Sequence, residues 1–197
     1  MVATCRVSAM RDEAEVGSSP TKCYPASMKP IEKIDETECP GCGAVLPRIE
    51  GPVHSYMNGS PACFEHFTTI LAFEYNNPDL LPIHRLTVDT YAVQHPGREG
   101  TRQQIQSVGL HLARLGRQLE GPIAPKETND VMLGLGLHKH TLELLKAPKR
   151  FSMTVSDVAE YAGTPLHPVK VRAWALATWN DWSAHHEYIQ QWSAKWL

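Results

Sequence analysis

Cys39 and Cys42 enclose a Pro-Gly pair in the run Glu38-Cys39-Pro40-Gly41-Cys42-Gly43-Ala44, and Cys63 follows downstream with His54 and His66 beside it. From Cys39 to Pro61 the chain is rich in Gly and Pro, so it cannot build a hydrophobic core of its own. A bound ion can organise such a loop instead. A tight turn presents both sulfurs of a Cys-x-x-Cys pair to one ion, and a tetrahedral zinc site takes thiolates and imidazoles at ~2.0–2.3 Å. The same spacing serves thioredoxin-like redox chemistry, but there the motif follows a strand and opens a helix. Here Pro47, Gly51 and Pro52 interrupt the stretch. Unrelated free thiols in a reducing compartment are the plainer alternative, and the nearby third cysteine and two histidines weigh against them. Spacing leaves the fourth ligand open between His54 and His66. Ser60-Pro61-Ala62-Cys63 reads as an N-cap followed by proline in the first helical turn, which puts Cys63 and His66 on one face and favours His66.

The rest of the chain reads as helices. Phe64, Phe67 and Leu71 form a stripe that ends near Asn76-Asn77-Pro78, and a second helix from about His84 to Gln94 stops at His95-Pro96-Gly97. Ile105, Val108, Leu112, Leu115 and Leu119 mark a third, strongly amphipathic helix from Thr101. A fourth is expected from Asp130 to Leu145, a short helical piece from Thr154 to Gly163, and a last long helix from Pro168 to Trp196 carrying Trp174, Trp182, Ile189 and Trp192. With no sustained alternating strands, the expected fold is mainly α, a helical bundle with an N-terminal metal-stapled loop of zinc-knuckle type at 39–66. Residues 1–36 mix Ser, Pro, Glu, Lys and Met without period and read as a flexible leader, so residues 37–197 form a single helical domain.

Periodicity also says which polar residues face inward. His84 and His95 share the stripe of Val88 and Tyr91, His111 lies between Val108 and Leu115, and His185 lies between Trp182 and Ile189. Bundles build metal sites from such side chains on facing helices, so His95, His111 and His185 are candidate ligands of a second divalent metal. Asp89 would be its base or orienting partner. Each imidazole could equally be a packed core residue with a hydrogen-bond partner of its own. His138 and His140, two apart, splay across a helix and read as surface residues.

At 197 residues, 42% apolar and with a formal net charge of −2, the chain suits one globular domain. It lacks the dense basic surface that nucleic acid demands. No apolar run approaches the ~20 residues of a membrane span, no secretory signal core is present, and the expected compartment is cytoplasmic. The five cysteines cannot all pair, which argues against a disulfide scaffold.

The motifs together resemble one family. Cys-Pro-Gly-Cys-Gly-Ala, Gly51-Pro52-Val53-His54, Ser60-Pro61-Ala62-Cys63, Val88-Asp89-Thr90-Tyr91-Ala92-Val93-Gln94-His95-Pro96-Gly97 and Trp182-x-x-His185-His186 are similar to the pattern of a family of uncharacterised bacterial proteins with no assigned activity. The resemblance runs from residue 39 to the C-terminus. It implies a histidine at His54 and none at His66, so the ligand set becomes Cys39, Cys42, Cys63 and His54 with His66 in reserve. It also implies counterparts of His84, Asp89, His95, His111, His185 and His186, but not of His138 or His140.

Two functions follow as expectations. One is a small metalloenzyme (a hydrolase, a lyase or an oxygen-using enzyme) with a structural zinc, a second divalent metal and a small-molecule substrate. The other is a non-catalytic zinc-stapled regulator or adaptor.

Overall fold

A computed structural model describes residues 35–121 and 124–197 of the chain. The leader expected at 1–36 lies outside them except for its last two residues, which begin a small hairpin. Strand β1 (Glu36–Glu38) pairs antiparallel with β2 (Val45–Pro47), Thr37 opposite Leu46. The Cys39–Ala44 turn joins them. Cys39 N donates to Ala44 O (2.8 Å), Gly43 N donates to Cys39 O (2.9 Å), and Gly43 takes a positive φ of 79° that a side chain would resist. The cysteine pair therefore sits in a hairpin turn, not at a strand-to-helix junction of the redox type.

The remainder is helical. Helix α1 (Pro61–Tyr75) starts as its sequence dictates: Ser60 is extended, its Oγ accepts from Cys63 N at 3.4 Å, and Pro61 occupies the first turn. A 3-10 turn at Pro78–Leu80 leads into α2 (Leu81–Gln94). Thr101 caps α3 (Arg102–Glu120), its Oγ1 accepting from Gln104 N at 3.2 Å. Then come α4 (Pro125–His138), the short α5 (Ser156–Ala159), α6 (His167–Asp181) and α7 (His186–Ala194). No helix among the described residues is long and apolar enough to cross a membrane.

Two helices differ most from the sequence reading. The fourth helix begins at Pro125, ahead of Asp130, and tightens into a 3-10 turn at Lys139–Thr141 instead of reaching Leu145. There the Arg102 guanidinium takes the carbonyls of His140 and Leu142, drawing the chain off the helix axis, while Leu142 drops into the core. The last helix is broken at Trp182, whose N–H is shared between the carbonyls of Thr178 and Trp179 at 3.2 and 3.0 Å. The Trp182 ring is fully buried, and a 3-10 turn at Ser183–His185 follows it, so the tryptophan stripe belongs to two separate helices.

Helix α2 is the axis of the molecule. It packs against α1, α3 and α6, and carries buried polar side chains toward each. Toward the end of α1, Glu74 (1% exposed) accepts from His167 Nε2 (2.9 Å), His84 Nδ1 (3.1 Å) and Thr87 Oγ1 (2.6 Å). Toward α3, Asp89 accepts from Arg114 Nε (2.7 Å) and Nη2 (2.5 Å), from Gln118 Nε2 (2.6 Å) and from His111 Nδ1 (2.6 Å). Toward α6, Gln94 Nε2 donates to Thr178 Oγ1 and to Met153 O, both at 2.8 Å, while its Oε1 accepts from Trp174 Nε1 at 3.1 Å. A helix buried on every side can carry polar residues only where each finds partners, and these do.

Burial pushes the Glu74 carboxyl up, but the hydrogen bonds from His167, His84 and Thr87 outweigh it, so the group lies below its ordinary value of 4.5. A depressed carboxyl stabilises the fold fully above its unfolded value, and that contribution is lost as pH falls through the folded one. Glu74→Gln is expected to cost about 1–3 kcal/mol near neutral pH. Its deficit against the wild type shrinks as pH drops below about 4.5, a trend that urea unfolding across pH 3–7 reads directly.

Candidate metal centre

The hairpin turn, the first turn of α1 and the end of α2 converge on one point. Cys39 and Cys42 come from the turn, Cys63 from the third residue of α1, and His95 from the residue that ends α2. Their four donor atoms all lie within 4.8 Å of one another, and the residues are 2%, 2%, 0% and 0% exposed. His95 Nε2 stands 3.5 Å from Cys39 Sγ and 3.3 Å from Cys63 Sγ, and Cys42 Sγ is 3.7 Å from Cys63 Sγ. This buried Cys3His group could hold a metal ion.

The surroundings orient each donor. His95 Nδ1 donates to Tyr91 O at 2.8 Å, which fixes the proton there and leaves the Nε2 lone pair facing the sulfurs. The ring stacks on Tyr91 at 3.9 Å, and Tyr91 stacks in turn on Phe67 at 3.8 Å. Cys39 Sγ accepts from Ser60 N at 3.4 Å, and Tyr91 Oη is 3.8 Å from Cys63 Sγ. Gly41 packs against the His95 ring so closely that a methyl group there would collide with its Cδ2. Gly97, at a φ of 79°, turns the chain beneath the Tyr56 carbonyl just after the ligand.

The thiols share protons unequally. Hydrogen bonds from Cys42 and Cys63 hold Cys39 well below the usual thiol range. With that neighbour ionised, Cys42 is pushed up to about 12 and Cys63 upward as well, each chiefly by its contact with Cys39. A divalent cation would reverse this by favouring three thiolates, so loading the site releases protons. Burial and the adjacent sulfur likewise raise the Tyr91 phenol, which stays a neutral donor.

His54 is not in the group, which corrects the expected ligand set. Its Nδ1 accepts from the backbone N–H groups of Tyr56 (3.4 Å) and Met57 (3.3 Å), and its ring meets Tyr56 edge-on at 4.4 Å. Partial burial lowers its basicity. His66, the reserve, is not in the group either and lines a groove with Ser156 and Asp157 of α5.

The expected second site from His95, His111 and His185 is not assembled either. Among the described residues the Cys3His group is the one set of three or more His, Cys, Asp or Glu side chains whose donor atoms all lie within 4.8 Å of one another. His95 belongs to it. His111 is anchored to Asp89, and His185, in the 3-10 turn at Ser183–His185 between α6 and α7, donates its Nε2–H to Lys146 O at 3.0 Å. Asp89 has all of its acceptor capacity filled by Arg114, Gln118 and His111, with no lone pair left for a base. His84 is satisfied by Glu74, and His186 Nε2 donates to Trp179 O at 2.8 Å. His138, expected at the surface, stacks on the Trp196 ring at 3.7 Å, while His140 is exposed.

Sequence reasoning missed Glu74 and His167 entirely, and placed His95 in the wrong site. A signal for His95 exists. Helices α1 and α2 form an antiparallel pair of nearly equal length, 15 and 14 residues, so the start of one must lie beside the end of the other. Cys63 and His95 occupy those two places.

A family of unknown function, DUF5946, matches residues 37–183, a span that includes the hairpin from Thr37, all four residues of the Cys3His group and helices α1 to α6. No curated protein and no solved structure matches the chain. The expected kinship with an uncharacterised family holds at this level, and the chain belongs to DUF5946.

Proposed function

We propose that the Cys3His group binds zinc as a structural staple, and that the protein is a non-catalytic regulator or adaptor whose fold depends on the ion. The carrying observation is the size and closure of the donor set. A tetrahedron with zinc–sulfur bonds of ~2.3 Å and a zinc–nitrogen bond of ~2.05 Å has sulfur–sulfur edges of about 3.8 Å and sulfur–nitrogen edges of about 3.6 Å. Three of the six edges in the Cys3His group are 3.7, 3.5 and 3.3 Å, and the rest lie within 4.8 Å. All four corners are protein donors and all are buried, whereas a catalytic zinc keeps one position for water or substrate. Soft thiolates in this number also favour zinc over magnesium, calcium or manganese.

Such an ion fastens the small hairpin to the packed α1–α2 pair. It ties a hairpin of two three-residue strands, too small to stand alone, to the start of α1 and the end of α2. Glu74 clamps the opposite end of the α1–α2 pair, so the two helices are held at both ends.

Cobalt exchange and chelation test this reading. The cobalt-loaded protein should show the intense visible bands of a tetrahedral thiolate site, and stripping the ion from the zinc form should lower the melting temperature sharply. A protein that melts at the same temperature with and without its ion would refute the staple.

A further inference from the structure

Helix α6 is apolar on two opposite faces. One is buried, with His167, Val171, Trp174, Ala175 and Thr178 turned into the core. On the other, Val169, Ala173 and Leu176 continue a line begun by Leu166 just before the helix, and all four are exposed. The large side chains stand 53% (Leu166), 63% (Val169) and 50% (Leu176) open. Their spacing of three, four and three residues is that of a coiled-coil seam, which a helix presents to another helix.

Charge says what covers it. Lys170 borders the seam on one side and Arg172 on the other, and no carboxylate of α6 faces outward between them. The helix's one acidic residue, Asp181, is turned to Ser152, accepting from its N–H at 2.8 Å and its hydroxyl at 3.1 Å. Lys170 lies over the Tyr161 ring at 4.2 Å, held in place at the border. Arg172 is exposed and has no ion-pair partner among the described residues. Basic borders repel a second copy of the same helix and attract one bordered by acids. The size of the seam agrees. Three such side chains expose on the order of 300 Å², enough to mark a recognition patch but far below the ~800 Å² a side of a standing dimer.

We propose that the outer face of α6 docks an amphipathic helix of a partner protein whose apolar seam is bordered by Asp or Glu. Binding is reversible and salt-sensitive, in the helix-on-helix mode of many regulatory contacts.

The test uses the full-length, metal-loaded protein and two labelled synthetic helices, both with Leu at the seam, one with Glu and one with Lys at the bordering positions. Fluorescence anisotropy should show micromolar binding of the Glu helix and at least about tenfold weaker binding of the Lys helix. The exposed pair Val169→Glu and Leu176→Glu should weaken the Glu helix at least about tenfold with no change in melting. Arg172→Glu should narrow or reverse the preference. Equal binding of both helices, no binding of either, or indifference to these substitutions would overturn the proposal. So would a concentration-dependent dimer abolished by Val169→Glu, which would assign the face to a second copy of the chain.

Discussion

A Cys63→Ser protein is expected to lose its ion and to melt some 10–20 °C below the wild type. Structural zinc supplies ~10–16 kcal/mol of apparent binding free energy in small sites, against a net folding stability of ~5–15 kcal/mol for a whole domain. Even partial loss of that term, about 5 kcal/mol, moves the melting point of a chain this long by about 10–20 °C. Serine nearly preserves the shape of cysteine, so the deficit reports coordination and not packing. Cys63 is fully buried between Cys42, His95 and Tyr91, and a hydroxyl there would bind zinc poorly while disturbing little else. The disturbance should be largest in the β1–β2 hairpin and the start of α1, where hydrogen exchange would show early opening. A variant that holds its ion and its melting point would show that the fold does not rely on the site.

The second large effect is expected away from the ion. Asp89→Ala should destabilise the protein by about 3–5 kcal/mol, because it strands the buried Arg114 guanidinium together with Gln118 and His111. Removing both charges by Asp89→Leu with Arg114→Met should recover most of that loss, since apolar replacement of a whole buried pair is often neutral or better. The Asp89→Ala protein should keep its metal at full stoichiometry. Denaturant unfolding and metal analysis on the same samples check both statements, and a loss under about 1 kcal/mol would remove Asp89 from the framework.

What the sequence discloses divides along the distance between interacting residues. Ser60 is readable as a cap because a cap is settled within one turn, and it caps as expected. Cys39 and Cys42 are readable because two intervening residues suffice to define a knuckle. The inward placement of His84 and His95 follows from helical period, and both are buried. Burial alone does not say what meets a side chain. His95 meets sulfurs 56 and 32 residues away, and His167 meets a carboxylate 93 residues away. Those pairings are created by the crossing of helices. The inward histidines His95, His111 and His185 suggest one shared purpose only while their partners are unknown; with the cysteines, Asp89 and the Lys146 carbonyl in place, each has a separate one. The break at Trp182 is of the same kind, for the apolar stripe runs through it and only the packing of α6 and α7 on the core turns the chain there.

Elemental analysis of untagged protein, prepared without chelator, should be made for the wild type, His54→Ala and His95→Ala. One zinc per chain in the wild type and in His54→Ala, with loss or steep weakening in His95→Ala, is the predicted result. Zinc retained in His95→Ala but lost in His54→Ala, or two ions per chain in the wild type, would contradict the Cys39, Cys42, Cys63, His95 staple.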